Sequence, residues 1–385
     1  MKLNLSIIGL GYVGLPLLIK LNKFYKVNGF DKDNIKINLI KKKYKKLSVS
    51  NNIESIKESN VYIISVPTPI FKNKSPNLNI LKGITKTISK YLSMGDIVIY
   101  ESTVYPGTTE EICVPILEKF SKLKFNKDFF VGYSPERINP GDKNHNLSNT
   151  IKIISASNKK TLKVINKIYS SIVKAGVYEV TNIKTAESVK IIENVQRDIN
   201  IAIINEFSKI FNALKLDTHE ILKAASTKWN FINLNPGLVG GHCIGVDPYY
   251  LLHKSNNVGQ KTLLIENARI INESMTNYVV DNLKKISFSK KIKLKKTNVL
   301  FLGATFKQNC DDFRNSKSLE LAIKIKKLCN KITIIDPYFK NFKNKQIKII
   351  NKIPNIKYDI LIISVTHKEF IKNGINYYLN YLKKN

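Results

Sequence analysis

The chain has 385 residues, 43% hydrophobic and 24% charged, with 63 Lys and Arg against 29 Asp and Glu for a formal charge of +34. Such a length predicts two or three domains, and the composition excludes a disordered chain. The four cysteines, at 113, 243, 310 and 329, form no CxxC pair or His/Cys cluster, so neither a metal site nor a disulfide framework is indicated and a reducing cytoplasm is the expected compartment.

The lysines are spread along the whole chain together with an excess of Asn and Ile, and no aromatic-interleaved basic motif accompanies them. A solvated basic surface is expected, with no nucleic-acid partner, and its field favours anionic small molecules. The uncharged run from Leu3 to Ile19 contains Gly9, Gly11, Gly14 and Pro16. It reads as strand, turn and helix, so no membrane insertion is expected.

In chain order the predicted elements are a strand in LNLSIIG, a helix through Leu21, a strand in VNGFD, a helix to about Leu47, and strands in NVYIISVP, DIVIYEST and FFVGYSPE. Alternation of this kind predicts a parallel sheet with helices on both faces. From Lys184 to about Leu216 the spacing of Val189, Ile192, Ile199, Ile203, Phe207, Ile210 and Leu214 predicts one long helix, and a second follows from Gln260 to about Leu283. After the basic linker KKIKLKK at 290–296 the strands resume in NVLFLGATF, ITIIDPY and YDILIISVTH. These echo SIIGLG, VNGFDKD and NVYIISVPT in the same order. The expected fold is α/β, with two Rossmann-like doubly wound parallel-sheet domains, 1–183 and 290–385, joined by a central helical domain at 184–289 that supplies a dimer interface.

Gly9-Leu10-Gly11-Tyr12-Val13-Gly14 follows a predicted strand and opens a helix, and Asp31 ends the next strand. In that context GxGxxG is a dinucleotide fingerprint: one glycine for the tight turn, one for approach of the pyrophosphate, one for helix–strand packing. Asp31 accepts from the adenosine ribose and repels a 2′-phosphate, which favours NAD, although Lys32 beside it weakens that preference. The stretch GLVGGHCIGVDPYY places Cys243 among Gly240, Gly241 and Gly245, with Asp247 four positions on. The glycines permit special backbone angles and close approach by a ligand. Alone, Cys243 reads as a small buried thiol. Beside an NAD site it also reads as a nucleophile, able to add to an aldehyde and yield a thioester on loss of hydride.

Seven blocks stand in order: GLGYVGLP at 9–16, VPTP at 66–69, ESTVYPGTTEE at 101–111, YSPERINPGD at 133–142, ESVKIIENVQRDINIAIINE at 187–206, GLVGGHCIGVDPYYL at 237–251 and FKQNCDDFRNSKS at 306–318. Along nearly its full length the chain resembles the UDP-glucose/GDP-mannose dehydrogenase family of nucleotide-sugar 6-dehydrogenases. The cysteine block, with WNF at 229–231 before it, is most similar to the branch that oxidises UDP-N-acetylhexosamines (UDP-GlcNAc or UDP-GalNAc) for bacterial surface polysaccharides, the Vi-antigen type included. The segment after Asp31 and the C-terminus are short for that family.

The resemblance implies a four-electron oxidation of the sugar C6 alcohol to a carboxylate, two NAD being reduced per sugar. It makes Cys243 the nucleophile and has Lys190 and Asn194 stabilise the oxyanion from one helix face. Asp247 works with Lys190 and a water in removing the hydroxyl proton, Glu136 activates water for hydrolysis, and Thr103 holds that water. Gly9, Gly11, Tyr12, Val13, Gly14, Asp31, Thr68 and Thr103 carry over as NAD contacts. Glu136, Arg137, Lys190, Asn194, Tyr249, Lys307 and Arg314 carry over as UDP-sugar contacts, with Arg314 and Lys307 on the diphosphate. Read from the residues alone, Tyr249 and Tyr250 each fit a pocket wall or the core equally. UDP-glucose and GDP-mannose oxidation are alternatives in the same family. A two-electron dehydrogenase, an epimerase on the same cofactor fold, and a basic binding protein with a decayed site are alternatives outside it; the joint presence of Cys243, Lys190, Asn194, Asp247 and Glu136 argues against decay.

Overall fold

In the computed structural model, which describes residues 2–138, 146–339 and 346–383, the chain divides into two units, Met1–Glu193 with Tyr249–Lys261 and Asn194–Pro248 with Thr262–Asn385. Of the YSPERINPGD block, residues 139–142 lie outside the described ones.

The first unit contains β1 (Asn4–Ile8), α1 (Gly14–Leu21), β2 (Lys26–Phe30), α2 (Asn34–Lys43), β3 (Ser48–Ser50), β4 (Val61–Ile64), α3 (Asn79–Ser89), β5 (Ile97–Tyr100), α4 (Val114–Ser121), β6 (Phe130–Tyr133), β7 (Lys152–Ala156), α5 (Lys159–Ser170) and β8 (Val177–Glu179). They build an eight-stranded sheet in the order β3-β2-β1-β4-β5-β6-β7-β8. Its pairs are parallel, except that β6 meets β7 antiparallel, Gly132 opposite Ala156. The runs VYII of β4 and IVIY of β5 are buried at every position, the pattern of strands covered on both faces. Leu5, Ile7, Leu17, Leu21, Ile165 and Ile168 lie in the same core, and each aliphatic side chain withdrawn from water contributes about 1.5–3 kcal/mol.

Strand order reverses at β1, which has β2 on one side and β4 on the other. In doubly wound sheets the crevice at such a reversal, at the carboxyl ends of the strands, is where ligands bind. The helix expected to reach Leu47 stops at Lys43. Tyr44 breaks it with φ −128° and ψ 76°, and the chain returns to the sheet as β3, with Ser48 opposite Asn28.

The long helix of the 184–216 reading is α6 (Ile183–Ala213). The residues whose spacing predicts it are largely on its outer side: Ile192 is 53% exposed, Ile210 48% and Leu214 61%. Its buried side carries Glu187, Ile191, Val195, Asp198, Ala202 and Asn205.

The remaining elements are α7 (Thr218–Ala225), α8 (Asp247–Asn257), α9 (Leu263–Ser289), β9 (Asn298–Leu302), α10 (Lys317–Lys326), β10 (Lys331–Ile335), β11 (Ile349–Ile350), β12 (Ile360–Ile363) and α11 (Lys368–Leu379). The second unit holds a four-stranded sheet, β11-β10-β9-β12, parallel throughout. That order repeats β3-β2-β1-β4, and the loops repeat with it. Gly9 N donates to Phe30 O at 2.8 Å, and Gly303 N to Ile335 O at 2.8 Å. Asp31 accepts from Leu10 N at 2.9 Å and Asp336 from Ala304 N at 2.8 Å. The echo between the two halves is therefore a repeated supersecondary unit.

Candidate active site

The dinucleotide turn lies wholly in the first unit. Gly9 leaves β1 at φ +93°, and a Cβ there would meet the Ser65 carbonyl oxygen at 2.7 Å. Gly14 opens α1, where a Cβ would stand 1.9 Å from Gly9 O and 2.6 Å from Ser65 Oγ. A Cβ on Gly11 would meet nothing within 4 Å beyond its chain neighbours. Two glycines thus close the turn and the third keeps the approach to α1 open. Val13, the N-cap of α1, makes no side-chain capping bond; Leu15 N already donates to Gly11 O at 3.2 Å and Pro16 has no N–H, so a pyrophosphate would draw on the N–H groups of the turn ahead of them. Tyr12 is 48% exposed beside them.

Asp31, just past β2, accepts from Leu10 N at 2.9 Å and from Asp33 N at 3.0 Å, and Lys36 Nζ stands 2.7 Å from its Oδ2. Burial pushes its pKa up, but the Lys36 bond and the two backbone N–H groups outweigh that and hold it below the ordinary value. A carboxylate at this point of the turn fits NAD. Lys36, five positions along in the first turn of α2, is the cation that touches it; the sequence reading weighed Lys32 instead.

Thr68 Oγ1 donates to Thr103 O at 2.6 Å, joining the VPTP and EST loops. Tyr250 is fully buried and its hydroxyl donates to Thr68 O at 2.9 Å and Pro69 O at 3.1 Å, which makes it a brace for that loop. Tyr249 is half-buried, with Lys74 Nζ 5.2 Å from its ring centroid. Arg137 is already paired, through Nη2 to Glu193 at 2.7 Å and Nη1 to Ile151 O at 2.8 Å. Lys190 is buried on α6.

Glu136 Oε1 accepts from Arg137 N at 2.7 Å and Ile138 N at 2.6 Å. Its Oε2 is buried, accepts no hydrogen bond and stands 3.5 Å from Lys152 Nζ. Lys152 in turn bonds Glu101 Oε2 at 2.6 Å and Pro135 O at 3.1 Å, and Tyr169 donates to Glu101 Oε1 at 2.5 Å. Burial pulls Lys152 down, yet Glu101 and Glu136 more than reverse this and keep it charged. Sequence reasoning passed over both Lys152 and Glu101; an ionisable residue in each of two otherwise apolar strand segments was the available signal.

The loop that carries Cys243 belongs to the second unit. Its entrance is clamped: Asn205 Nδ2 donates to Gly237 O at 3.0 Å and Gly237 N to Asn205 Oδ1 at 2.8 Å. Asn205 Nδ2 also reaches Asn272 Oδ1 at 2.8 Å, Asn272 Nδ2 meets Asp198 Oδ1 at 2.8 Å, and Arg269 Nη1 meets the same oxygen at 2.6 Å. The polar residues on the buried side of α6 therefore fasten the loop to α9. Gly240 and Gly241 serve the protein rather than a ligand. A Cβ on Gly240 would lie 2.5 Å from Asn315 O, and Gly241, at φ +82°, would place one 2.6 Å from the Phe306 ring. At Gly245 the nearest atom would be 3.6 Å away.

Cys243 is half-buried, whereas Cys113, Cys310 and Cys329 are buried. Its carbonyl accepts from Val246 N at 2.9 Å and Asp247 N at 2.8 Å, a turn that leads into α8. Asp247 is 2% exposed, and Asn194 Nδ2 donates to its Oδ2 at 2.5 Å. Three of the expected residues, Cys243, Asp247 and Asn194, are thus brought together.

Arg314 is not the open fork that the sequence suggests. Its Nε lies 3.0 Å from Asp312 Oδ1 and its Nη2 2.6 Å from Oδ2. Asp312 Oδ2 is also 3.3 Å from His242 Nδ1. Burial would raise Asp312, but His242 and Arg314 hold it far below the carboxylate range. The Asp312 hydrogen bond, with a further one to Cys243, pushes His242 up to about 9. Lys307 Nζ stands 5.6 Å from the Phe306 ring centroid.

Three family models match the chain in succession. They are the NAD binding domain, over residues 3–173, the central domain, over 184–274, and the UDP binding domain, over 300–384, of the UDP-glucose/GDP-mannose dehydrogenase family. The chain is 45% identical to a UDP-N-acetyl-D-glucosamine 6-dehydrogenase of Salmonella typhi over 390 residues, covering 97% of this chain and 92% of that protein. It is 43% identical to another of that name from Pseudomonas aeruginosa over 389 residues, with 97% and 92% covered. A solved UDP-D-ManNAc dehydrogenase from Pyrococcus horikoshii matches with a TM-score of 0.89 at 31% identity, covering 100% of this chain and 94% of that one.

Proposed function

We propose, on the premise that this chain belongs to the UDP-glucose/GDP-mannose dehydrogenase family, that this NAD-dependent oxidoreductase oxidises the C6 alcohol of a UDP-N-acetylhexosamine, UDP-GlcNAc or UDP-GalNAc, to the uronic acid. The observation that carries the reading is the cluster in which Asn194 holds Asp247 at 2.5 Å while Asp247 N caps the Cys243 carbonyl at 2.8 Å. The choice of sugar is supported by the wording of the 237–251 block and by the two relatives at 45% and 43% identity.

Bound NAD supplies the hydride acceptor for both oxidations. Asp247, working with Lys190 and a water, removes the C6 hydroxyl proton. The Cys243 sulfur then adds to the aldehyde carbon, and the carbonyl electron pair moves to oxygen, where the Lys190 ammonium and the Asn194 amide meet it. Oxidation of that thiohemiacetal gives a thioester. Glu136 takes the proton of the attacking water through Oε2, the oxygen that accepts no hydrogen bond, while Thr103 positions the water. The carbon–sulfur bond breaks with its electron pair returning to Cys243. Arg314 and Lys307 hold the diphosphate, with Arg137 and Tyr249 as further contacts; Arg314 serves once its pairing with Asp312 is shared.

On this reading 1–183 binds NAD, 184–289 carries the nucleophile loop, and 290–385 binds the UDP moiety. The outer side of α6, with Phe207, Ile210 and Leu214 exposed, is where a second copy packs to give a homodimer. Among the described residues no helix is long and apolar enough to cross a membrane. A cytoplasmic enzyme feeding surface-polysaccharide synthesis fits this, since nucleotide sugars are made there.

The test is NAD reduction with UDP-GlcNAc, UDP-GalNAc, UDP-ManNAc, UDP-glucose and GDP-mannose side by side. Fastest turnover with UDP-GlcNAc or UDP-GalNAc supports the reading. Preference for UDP-glucose or GDP-mannose moves the chain to another branch of the family, and no reduction with any of them ends the proposal.

A further inference from the structure

The chemistry above uses Glu136 but none of the three buried groups behind it. β7 meets β6 antiparallel, with Tyr133 opposite Ser155. Three positions on from Tyr133 and three back from Ser155, the same register sets Glu136 against Lys152, the first residue of β7. A parallel β7 would open at the other end of the sheet. The reversal therefore brings a cation to the carboxyl edge, where Glu101 follows β5 and Glu136 lies just past β6.

Lys152 is 2% exposed, as is Glu101, and Tyr169 is wholly buried. The ammonium bonds Glu101 Oε2 at 2.6 Å and Pro135 O at 3.1 Å. Tyr169, on α5, holds both members of the pair: its hydroxyl donates to Glu101 Oε1 at 2.5 Å, and its ring centroid is 5.3 Å from Lys152 Nζ. Glu136 is fastened on one side only. Its Oε1 takes two consecutive backbone N–H groups, those of Arg137 and Ile138. The buried Oε2 accepts no hydrogen bond and has Lys152 Nζ 3.5 Å away. That separation is beyond the usual hydrogen-bond range but still within that of an ion pair, so the cation steadies the carboxylate without filling its lone pairs. The charges divide the same way. One ammonium stands among two carboxylates, and Glu101 with its close bond to Lys152 completes a neutral pair. A proton arriving at Glu136 Oε2 then removes the one uncompensated charge of the group, a change that burial favours.

We infer that Lys152 is a positioning residue for the hydrolytic step, holding the Glu136 carboxylate with Oε2 open to water while Glu101 and Tyr169 hold Lys152 in place. The inference rests on the dehydrogenase reading, with Glu136 as the base that activates water. In that step an O–H bond of water breaks, its proton goes to Oε2, and the oxygen pair forms the new bond to the thioester carbon. The carbonyl pair moves to oxygen and returns as the carbon–sulfur bond breaks, whose pair goes to Cys243. Lys152 keeps its proton throughout. Both hydride transfers precede this step and do not draw on the trio.

The test is rapid mixing of the full-length chain with NAD and whichever of the nucleotide sugars named above it oxidises fastest, following NADH formation and the intact mass of the protein. Lys152→Met removes the cation at similar side-chain length. Tyr169→Phe removes one hydroxyl from the far end of the network and decides the matter should Lys152→Met fail to fold. In both variants two NADH are expected to form per chain at the unmodified rate. The steady rate then falls, about tenfold to a hundredfold for Lys152→Met and less for Tyr169→Phe, and the protein mass rises by that of the acyl sugar nucleotide. A merely structural role slows the first two hydride transfers in step with the steady rate and leaves no adduct, and that result overturns the inference. A steady rate equal to that of the unmodified chain also overturns it and leaves the dehydrogenase reading standing. An unmodified chain that reduces no NAD with any of these sugars overturns the reading, and the inference with it.

Discussion

Asp31 is where the fold and the cofactor ask for the same charge. Its carboxylate must stay ionised to accept from Leu10 N and Asp33 N, and Lys36 at 2.7 Å secures that. Removing a hydrogen bond to a charged group costs about 1.5–3 kcal/mol. Asp31→Ala is therefore expected to raise the KM for NAD by roughly tenfold to a hundredfold with a smaller change in kcat, measured by initial rates at varied NAD; an unchanged KM contradicts the assignment. His242 gives the pH prediction at this scale. Its pKa rises from the ordinary 6.5 to about 9, so its stabilising pairing is complete below pH 6.5 and is lost as pH rises through about 9. Asp312 is depressed, so its share is present above its ordinary 3.8 and is lost only as pH falls below that. Urea unfolding across this range is expected to show an alkaline loss of stability that His242→Gln flattens. Single residues were unevenly legible. Asp31 and Cys243 stand in short motifs whose spacing carries the chemistry. Asp312 meets His242 from seventy positions away, and no local pattern announces such a contact.

Among the elements, eight strands, β1, β2, β4, β5, β6, β9, β10 and β12, were legible, helped by apolar runs such as VYII and IVIY, while β7 and the two-residue β11 were passed over. The short β3, SVS, and the largely exposed β8, VYE, offer no such run. On α6 the hydrophobic period found the helix but marked its outer side, since the buried side spends positions on Glu187, Asp198 and Asn205, which bond partners far along the chain. Asn205→Ala leaves Gly237 N and O without their partner. A loss of about 1–3 kcal/mol in unfolding free energy is expected for such unpaired groups, with a fall in kcat as the loop carrying the proposed nucleophile loosens. Gly241→Ala tests the loop differently, by combining a left-handed backbone at φ +82° with a 2.6 Å contact on Phe306. Strain of about 1–3 kcal/mol is expected there, read as a lower melting temperature. A variant as stable and as active as the unmodified chain would show that the loop does not need its close approach to Phe306.

For the whole molecule, the net charge of +34 sets a field that draws in anionic nucleotides and keeps like surfaces apart. The proposed homodimer therefore has to draw on apolar area, for which Phe207 and Ile210 on α6 and Leu214 just past its end are exposed. Phe207→Glu with Ile210→Glu is expected to shift the chain from dimer to monomer in light scattering, and a dimer that persists places the contact elsewhere. The two-sheet architecture and the family were legible from ordered motif blocks, because the turns at Gly9, Gly241 and Asp336 need particular residues whatever surrounds them. The choice among sugars was less so, since it depends on loops whose shape has no periodic signature. The central claim is a four-electron oxidation through Cys243, and its most direct test is the stoichiometry of NAD reduced per UDP-GlcNAc consumed, with Cys243→Ser in parallel. Two NAD reduced per sugar with a carboxylate product, and loss of turnover in the variant, is the predicted result. One NAD per sugar, or full activity without the thiol, contradicts it.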